Sequence, residues 1–364
     1  MKGITHFLFG IAMATFFSIA LDAAVTQKAL IILLGGIFGV LPDTLDFRFQ
    51  RYIQKHTYEV EPDPHTLNAQ NVADTIAYSI NQAYETGKPV LVKLHTQKIN
   101  QEFWRRYNLI IDPVNKTVTV KIGGWVTWAD TPDFPGTVSE PEPVYTAHFY
   151  PDVEYNYDQE TKVTILSGPD YEFVRDENKV RVDFIPFHRK WTHSFTFAFL
   201  FGVIGFILYG FSSLGFAAFG IIVVGFAGHV LVDQLGMLGG NLFFPLTKKR
   251  TPGLCLCRSA DAIPNFSTNY FSLMLILWNL DAFNLTSKLK MPLIDMFGLQ
   301  TSSFAIRYIV GLTNYVLVYI VIPLVIVYFF YYILYKRKVA QPTINVAHER
   351  TIETLKETEE LIEN

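Results

Sequence analysis

Charged residues and cysteines are scarce in this chain of 364 residues, and an excess of basic residues is absent. Only 17% of the residues are charged whereas 50% are hydrophobic, and the mean hydropathy is +0.23. Soluble domains carry about 25% charged residues, so this composition indicates a membrane protein. The net charge of -3 argues against a nucleic-acid partner, which would require a basic patch. The two cysteines, Cys255 and Cys257, are too few and too close together for a disulfide framework.

A cleavage site of small residues is also lacking after the first hydrophobic run, so we expect this run to remain in the chain as a helix. The chain has six hydrophobic runs, and most of them approach the roughly 20 residues that cross a bilayer core. They lie near residues 4–21, 29–41, 194–211, 213–232, 266–283 and 308–335. The predicted fold class is a membrane α-helical bundle of about six transmembrane helices with an inserted soluble α+β domain.

Residues 47–187 form that insertion, because they interrupt the hydrophobic pattern with a composition typical of soluble domains. Within them, Val72, Ile76 and Ile80 recur at helical spacing and predict one amphipathic helix over 68–86. Short alternating runs after that helix are separated by Asn, Asp, Gly and Pro, as in antiparallel strands. The predicted domains are transmembrane helices 1 and 2 at 1–46, the cytoplasmic insertion at 47–187, transmembrane helices 3 to 6 at 188–338 and an acidic tail at 339–364.

Lysine and arginine residues near the predicted spans indicate their orientation, because these residues gather on the cytoplasmic side of a membrane. With six spans, most basic groups lie on one side. They are Lys2, Arg48 with Arg51, Arg189 with Lys190, the group of Lys248, Lys249 and Arg250, and the YKRK sequence after the last span. Lys28 and Arg307 are isolated exceptions. We therefore predict an integral, multi-pass protein of the cell (inner) membrane, with the insertion and the C-terminus in the cytoplasm.

Histidine and aspartate residues stand at the ends of four predicted spans, all on the predicted cytoplasmic side. They are His6, Asp43, Asp46, His188, His193, His229 and Asp233. His229 and Asp233 are four residues apart and share one helix face, and Asp43 and Asp46 can do so at a separation of three. Ionisable residues in membrane segments are costly and are usually functional. Imidazoles and carboxylates together suit Zn²⁺, with Mn²⁺ as the alternative, and a set of this size could hold two or three ions.

Each of these residues also has a simpler interpretation. A lone histidine at a span end, such as His6, is usually an interfacial hydrogen-bonding residue, and an aspartate after Leu-Pro often caps a turn. His188 next to Arg189 could lie among lipid headgroups. A metal site is favoured because histidines and aspartates occur together at the same side of four predicted spans. The remaining histidines are predicted to be surface residues: His56, His65, His95, His148 and His348.

Four sequence motifs, in this order, also carry a family resemblance: THFLFG, GVLPDTLD, HRKWTHS and GHVLVDQLGMLGGNLFFPLTKKR. They resemble the YdjM-type membrane-bound metal-dependent hydrolases, also described as LexA-binding inner-membrane-associated hydrolases and distantly grouped with zinc-dependent phospholipase C. The resemblance covers residues 1–46 and 188–250 and implies metal-dependent hydrolysis of a phosphoester. The family pattern reads Leu-Pro-Asp, one residue, Asp-His, whereas here two residues separate Asp43 from Asp46 and Phe47 follows.

The expected function is therefore that of a membrane-embedded hydrolase that cleaves a phosphoester of a lipid or lipid-linked substrate at the cytoplasmic interface. In this interpretation the histidines and aspartates hold metal, and Asp46 is either a further ligand or the catalytic base that orients water. Arg189 and Lys190 are candidates to bind the anionic headgroup of the substrate. The insertion could also bind a cytoplasmic protein partner.

Two other functions stay open. A divalent cation transporter would want polar groups near mid-membrane and on both sides, whereas these residues gather on one side. A non-catalytic regulatory or binding protein would hold a structural metal, and structural zinc sites are usually four-coordinate and rich in cysteine. The candidate set here is larger than four and contains no cysteine, which favours the hydrolase.

Overall fold

The computed structural model describes residues 1–63, 69–127, 133–134, 136–138, 143–155, 160–164, 168–247, 250–259, 261–283 and 292–340. The predicted tail from residue 341 onward lies outside the described residues, as do His65, His348, Lys248 and Lys249. The chain divides into two compact units, Met1–Asn265 and Phe266–Asn364. All candidate site residues belong to the first unit.

The first helices are short, and one of them is extended by turns at both ends. They are α1 Gly3–Ala14, α2 Ser18–Thr26, α3 Leu33–Leu45 and α4 Arg51–Ile53. A 3-10 turn at Leu30–Ile32 leads into α3, and a π-helical turn at Asp46–Gln50 follows it. Together these segments make one apolar span, Leu30–Phe49, which carries Asp43 and Asp46 at its end.

Ten strands and one helix follow within the described residues. They are β1 Tyr58–Val60, α5 Gln70–Thr86, β2 Val90–Leu94, β3 Gln97–Lys98, β4 Phe103–Asp112, β5 Thr117–Thr127, β6 Val144–His148, β7 Asp152–Tyr155, β8 Glu160–Val163, β9 Asp170–Asp176 and β10 Lys179–Phe184. One five-stranded sheet has the order β1-β2-β9-β10-β7. The other has the order β3-β4-β5-β6, with β8 paired to β4.

The helix predicted over 68–86 is confirmed as α5, and its apolar face packs against strand residues in one hydrophobic core. Val72, Ile76 and Ile80 are fully buried in that core. Gly87 ends the helix with a φ of 67°, in the left-handed conformation that glycine adopts without strain. Most strand pairs are antiparallel, as predicted, whereas β1 with β2 and β7 with β10 pair in parallel.

The remaining helices follow the strands. They are α6 Phe195–Tyr209, α7 Ser213–Asp233, α8 Ala262–Ala282, α9 Leu293–Phe297, α10 Phe304–Val316 and α11 Ile322–Ala340, with a π-helical turn Leu317–Val321 between the last two. In the second unit, α10 and α11 make one apolar stretch, Phe304–Leu334, whose side chains are mostly exposed. An exposed apolar surface of this kind is what a lipid-facing helix presents.

The prediction of a six-helix membrane bundle is wrong. Among the described residues, three helices are long and apolar enough to cross a membrane: Leu30–Phe49, Ser213–Asp233 and Phe304–Leu334. The first predicted run breaks into α1 and α2, which meet at 98° and could count as a fourth span. α6 has 15 residues and is about 22 Å long, shorter than the roughly 30 Å hydrocarbon core. α8 is a continuous helix, but polar residues interrupt its apolar sequence. The two sheets account for much of the rest of the chain, which a bundle of membrane helices would not contain.

Glycines let α1, α3 and α7 approach each other at backbone contact. A Cβ atom built on Gly10 would lie 2.0 Å from the carbonyl oxygen of Gly35, and one built on Gly225 would lie 2.6 Å from the same oxygen. Small residues allow such close approach between membrane helices. Because the three helices touch here, the residues further along them, His6, Asp43 and His229, can converge on one point.

Candidate metal centre

Six of the seven predicted ligands come together from four segments of the first unit. His6 lies on α1, Asp43 on α3, and His229 and Asp233 lie on α7. His188 precedes the 3-10 turn Trp191–His193 that leads into α6, and His193 ends that turn. All six are buried except Asp43, whose side chain is 24% exposed. The set is therefore reachable from the side of Asp43.

Four ligand atoms at the centre of the set show spacings close to five of the six edges of a tetrahedral metal site. The Nε2 atoms of His193 and His229 lie 3.1 Å apart. Asp43 Oδ1 lies 3.4 and 3.5 Å from these two nitrogens, and Asp233 Oδ2 lies 3.5 and 3.4 Å from them. A tetrahedron with metal–ligand bonds of about 2.0–2.1 Å has edges of about 3.3–3.4 Å. The donor set therefore fits one divalent ion such as Zn²⁺.

The two remaining histidines lie on opposite flanks of this centre. His188 Nε2 is 3.8 Å from Asp43 Oδ1, and His6 Nε2 is 3.3 Å from Asp233 Oδ1. Two groups of ligand atoms fit a metal, and Asp43 belongs to both. His6 Nδ1 is buried without a hydrogen-bond partner among the described residues, and the polar contacts of His6 Nε2 and Asp43 Oδ1 there are to other members of the set and lack hydrogen-bond geometry. Buried polar atoms are rarely left unpaired, so these atoms fit a role as metal ligands.

Three of the histidines are oriented by hydrogen bonds from their other ring nitrogen. His229 Nδ1 donates to the carbonyl oxygen of Gly39 at 2.7 Å. His188 Nδ1 donates to Asp46 Oδ2 at 2.9 Å, and His193 Nδ1 lies 3.2 Å from the same oxygen. When Nδ1 carries the proton of such a bond, the lone pair of Nε2 remains available for a metal ion. The bond also orients the ring so that Nε2 faces the centre, as in many metal sites.

Asp46 is fully buried, and its contacts are with the protein on every side. Besides the two imidazoles, it accepts hydrogen bonds from the backbone N–H of Arg189 and from the hydroxyl of Thr192. The contacts favour a positioning role for Asp46 over ligation or base catalysis. Thr192 is a site residue that the sequence interpretation missed. Its place between two histidines in HRKWTHS was the only available signal.

A comparison with known protein families identifies the chain. The model of the family described as YdjM inner membrane protein matches residues 151–338. The chain belongs to the YdjM family. It is therefore a membrane protein, and the predicted membership of the YdjM family is confirmed, whereas the grouping with zinc-dependent phospholipase C stays a prediction. Comparisons of this YdjM family member with curated proteins and with solved structures found no match.

Arg189 and Lys190, both predicted to bind substrate, line two different cavities. Arg189 Nη2 lies 3.0 Å from Asp233 Oδ2, and the side chain borders a cavity of about 290 Å³. Lys190 Nζ lies 3.3 Å from a carboxylate oxygen of Glu172 and lines a cavity of about 760 Å³ beside the first sheet. Only Arg189 touches the candidate metal centre.

Three carboxylates, of which Asp46 and Asp233 are buried and Asp43 is partly exposed, give the centre a strong attraction for positive charge. Burial lowers the pKa of His193, but its ion pairs with Asp233, Asp43 and Asp46 outweigh burial and raise that pKa to about 10. Burial dominates at His188 and lowers its pKa, despite the bond to Asp46. Carboxylates that raise the pKa of a neighbouring imidazole do so because they stabilise positive charge. The same carboxylates would stabilise a divalent cation at this place.

The other described histidines lie away from the centre. His148 is exposed on β6, as predicted. His95 pairs with Glu59 at 3.1 Å and is partly exposed. His56 is more buried than predicted, because its Nε2 lies 3.0 Å from Asp170.

Replacing Asp46 by Asn separates its two possible roles. An Asn side chain cannot accept from both imidazoles and the Arg189 N–H as a carboxylate does, so we expect Zn²⁺ affinity to fall by about 10- to 100-fold. Chelator-competition titration of the purified protein measures this change. Asp22→Asn, the same replacement at an exposed position of α2, serves as the control. Loss of turnover with unchanged metal affinity would instead identify Asp46 as the base.

Proposed function

We propose that this YdjM family member is a membrane-embedded, metal-dependent hydrolase that cleaves a phosphoester of a lipid or lipid-linked substrate. The observation that carries the proposal is the tetrahedral spacing of two imidazole nitrogens and two carboxylate oxygens, with further histidines on both flanks. Structural zinc sites are closed and rich in cysteine. This site has more ligands than a closed site needs, and the partial exposure of Asp43 leaves a way in.

The residues of the chain would have three roles: they would bind the metal, orient its ligands and bind the substrate. Six side chains would hold the ion or ions: His6, Asp43, His188, His193, His229 and Asp233. Asp46 would orient the imidazoles of His188 and His193. Arg189 would face the phosphoryl group from the neighbouring cavity. A divalent cation bound there lowers the pKa of water to about 7 and polarises a phosphoryl oxygen.

The shape of the cavity beside Arg189 supports an amphiphilic substrate. A volume of about 290 Å³ suits a phosphate headgroup and is too small for a whole lipid. Apolar Val232 and Met237 line it together with polar Ser259, and so does Asp233, the last residue of the apolar helix α7. A substrate with its tail in the bilayer and its phosphate at the span end matches this arrangement. Placement of that end in the cytoplasm stays a prediction.

The test is hydrolysis by the full-length protein in lipid nanodiscs, with bis(p-nitrophenyl) phosphate and a phospholipid as probes. We expect phosphate ester cleavage that a chelator abolishes and Zn²⁺ or Mn²⁺ restores. His193→Ala should reduce the rate by at least about 100-fold, since it removes a central ligand. His148→Ala, an exposed histidine on β6, should leave the rate unchanged.

Two results would count against the hydrolase. Stable metal binding without chelator-sensitive cleavage of either probe would indicate a metal-containing regulatory or binding protein. Metal flux into sealed proteoliposomes without cleavage would indicate a cation transporter.

A further inference from the structure

The guanidinium of Arg189 occupies a lone pair that a metal ion would need. Arg189 Nε donates to His188 Nε2 at 3.2 Å. The other ring nitrogen of His188 donates to Asp46, so Nε2 is the only atom of this ring that can bind metal. An imidazole nitrogen has one in-plane lone pair. The Arg189 bond and metal coordination at His188 therefore exclude each other.

The same guanidinium also neutralises a second ligand. Its Nη2 lies 3.0 Å from Asp233 Oδ2, and Nη1 donates to the backbone carbonyls of Asp233 and Gly239. The planar guanidinium therefore brings a positive charge against the carboxylate of Asp233. The positive charge of Arg189 thus partly neutralises the carboxylate that a divalent ion would also contact, so Arg189 and the ion compete for this place.

The backbone of Arg189 is held in an unusual conformation. Its φ is 62°, in the left-handed region that non-glycine residues rarely adopt, and its N–H donates to Asp46 Oδ2 at 2.8 Å. Asp46 therefore positions the histidine before Arg189 and the backbone of Arg189 itself. This geometry aims the guanidinium at the centre, while the side chain also borders the cavity of about 290 Å³.

We propose that Arg189 is displaced from His188 Nε2 when a metal ion occupies the His188 flank, and that the freed guanidinium then binds the phosphoryl group of the substrate in the adjacent cavity. A planar guanidinium matches two phosphoryl oxygens at once. Metal occupancy and phosphate binding would then reinforce each other, because each favours the same position of Arg189. This inference rests on the metal-dependent function proposed above.

The test measures Zn²⁺ affinity of the full-length protein by chelator competition, at buffered free Zn²⁺, with and without inorganic phosphate. Arg189→Gln should bind Zn²⁺ at least about tenfold more tightly than wild type in the absence of phosphate, since a competing cation is removed. Phosphate should tighten Zn²⁺ binding in wild type and do so much less in Arg189→Gln. Lys179→Gln removes a positive charge from an exposed position of β10, away from the centre, and should change neither measurement.

Arg189→Lys guards against misfolding of the first variant. Lysine keeps the positive charge, but it lacks the planar guanidinium whose separate N–H groups contact His188 Nε2 and Asp233 Oδ2 at the same time. Its Zn²⁺ affinity should lie between those of wild type and Arg189→Gln, with most of the phosphate effect retained. Weaker or unchanged Zn²⁺ binding in the folded Arg189 variants would overturn this inference alone. Absence of Zn²⁺ binding by the wild-type protein would overturn the proposed function as well.

Discussion

Purified His229→Ala protein is expected to lose its bound metal. His229 Nε2 is one of the four central ligand atoms, 3.1 Å from His193 Nε2, and the ring is oriented by its bond to the carbonyl of Gly39. Even partners of metal ligands typically cost about 10- to 100-fold in affinity when mutated, so a central ligand should cost at least as much. Elemental analysis of the purified protein measures the loss and requires no substrate.

The fold of this variant should survive, because alanine suits a membrane helix better than histidine does. Asp233→Ala should behave in the same way, since Asp233 Oδ2 completes the tetrahedron. His148→Ala is the matched control on exposed β6. If His229→Ala and Asp233→Ala both retain full metal content, the two residues instead join α7 to its neighbours, His229 through Gly39 and Asp233 through Arg189. The site would then have to be rebuilt around His6, His188 and His193.

Gly10→Ala is expected to destabilise the first unit severely, although it adds a single methyl group. The added Cβ would lie 2.0 Å from the carbonyl oxygen of Gly35, where backbone faces backbone and no side chain can move aside. Overpacking costs about 1–3 kcal/mol and occasionally more, and a backbone clash belongs at the upper end. We expect a large loss of thermal stability in detergent. Bound metal should fall with it, because α1 and α3 carry His6 and Asp43.

Gly3→Ala provides the control within the same helix, since a Cβ at Gly3 has nothing within 4 Å. Both variants gain helix propensity, so any difference between them reports the contact of α1 with α3. Equal thermal stability of the two variants would show that the helices separate more easily than this packing indicates.

Much of the candidate site could be predicted because its signal is local. The spacing of His229 and Asp233 places both on one helix face, and charged groups next to apolar runs are conspicuous in any sequence. The distinct role of Asp46 could not be predicted in this way. It depends on contacts with His188 and Thr192, which lie about 140 residues further along the chain. Sequence spacing contains no information about such pairs.

The number of spans could not be predicted, because average hydropathy does not detect a bend. The chain turns by 98° between Ala14 and Ser18, where neither glycine nor proline marks a break. Thr15 donates its hydroxyl back to the carbonyl of Ala12, a local bond that competes with the helix. The strand order was equally hidden, since β2 pairs with β9 rather than with β3, the next strand along the chain. Pairing over such distances is decided by tertiary packing.

The order of synthesis follows from where the ligands lie along the chain. Asp43 and Asp46 leave the ribosome about 190 residues before Asp233, and at about 5–20 residues per second the interval is roughly 10 to 40 s. His188 and His193, which pair with these aspartates, follow about 145 residues after Asp43, so for most of that interval the nascent segment Leu30–Phe49 carries two carboxylates without these partners. Water would have to solvate the carboxylates until then. The complete set of candidate ligands would therefore exist only after Asp233 has been made, so any loading of a metal ion into this set would follow synthesis of most of the first unit.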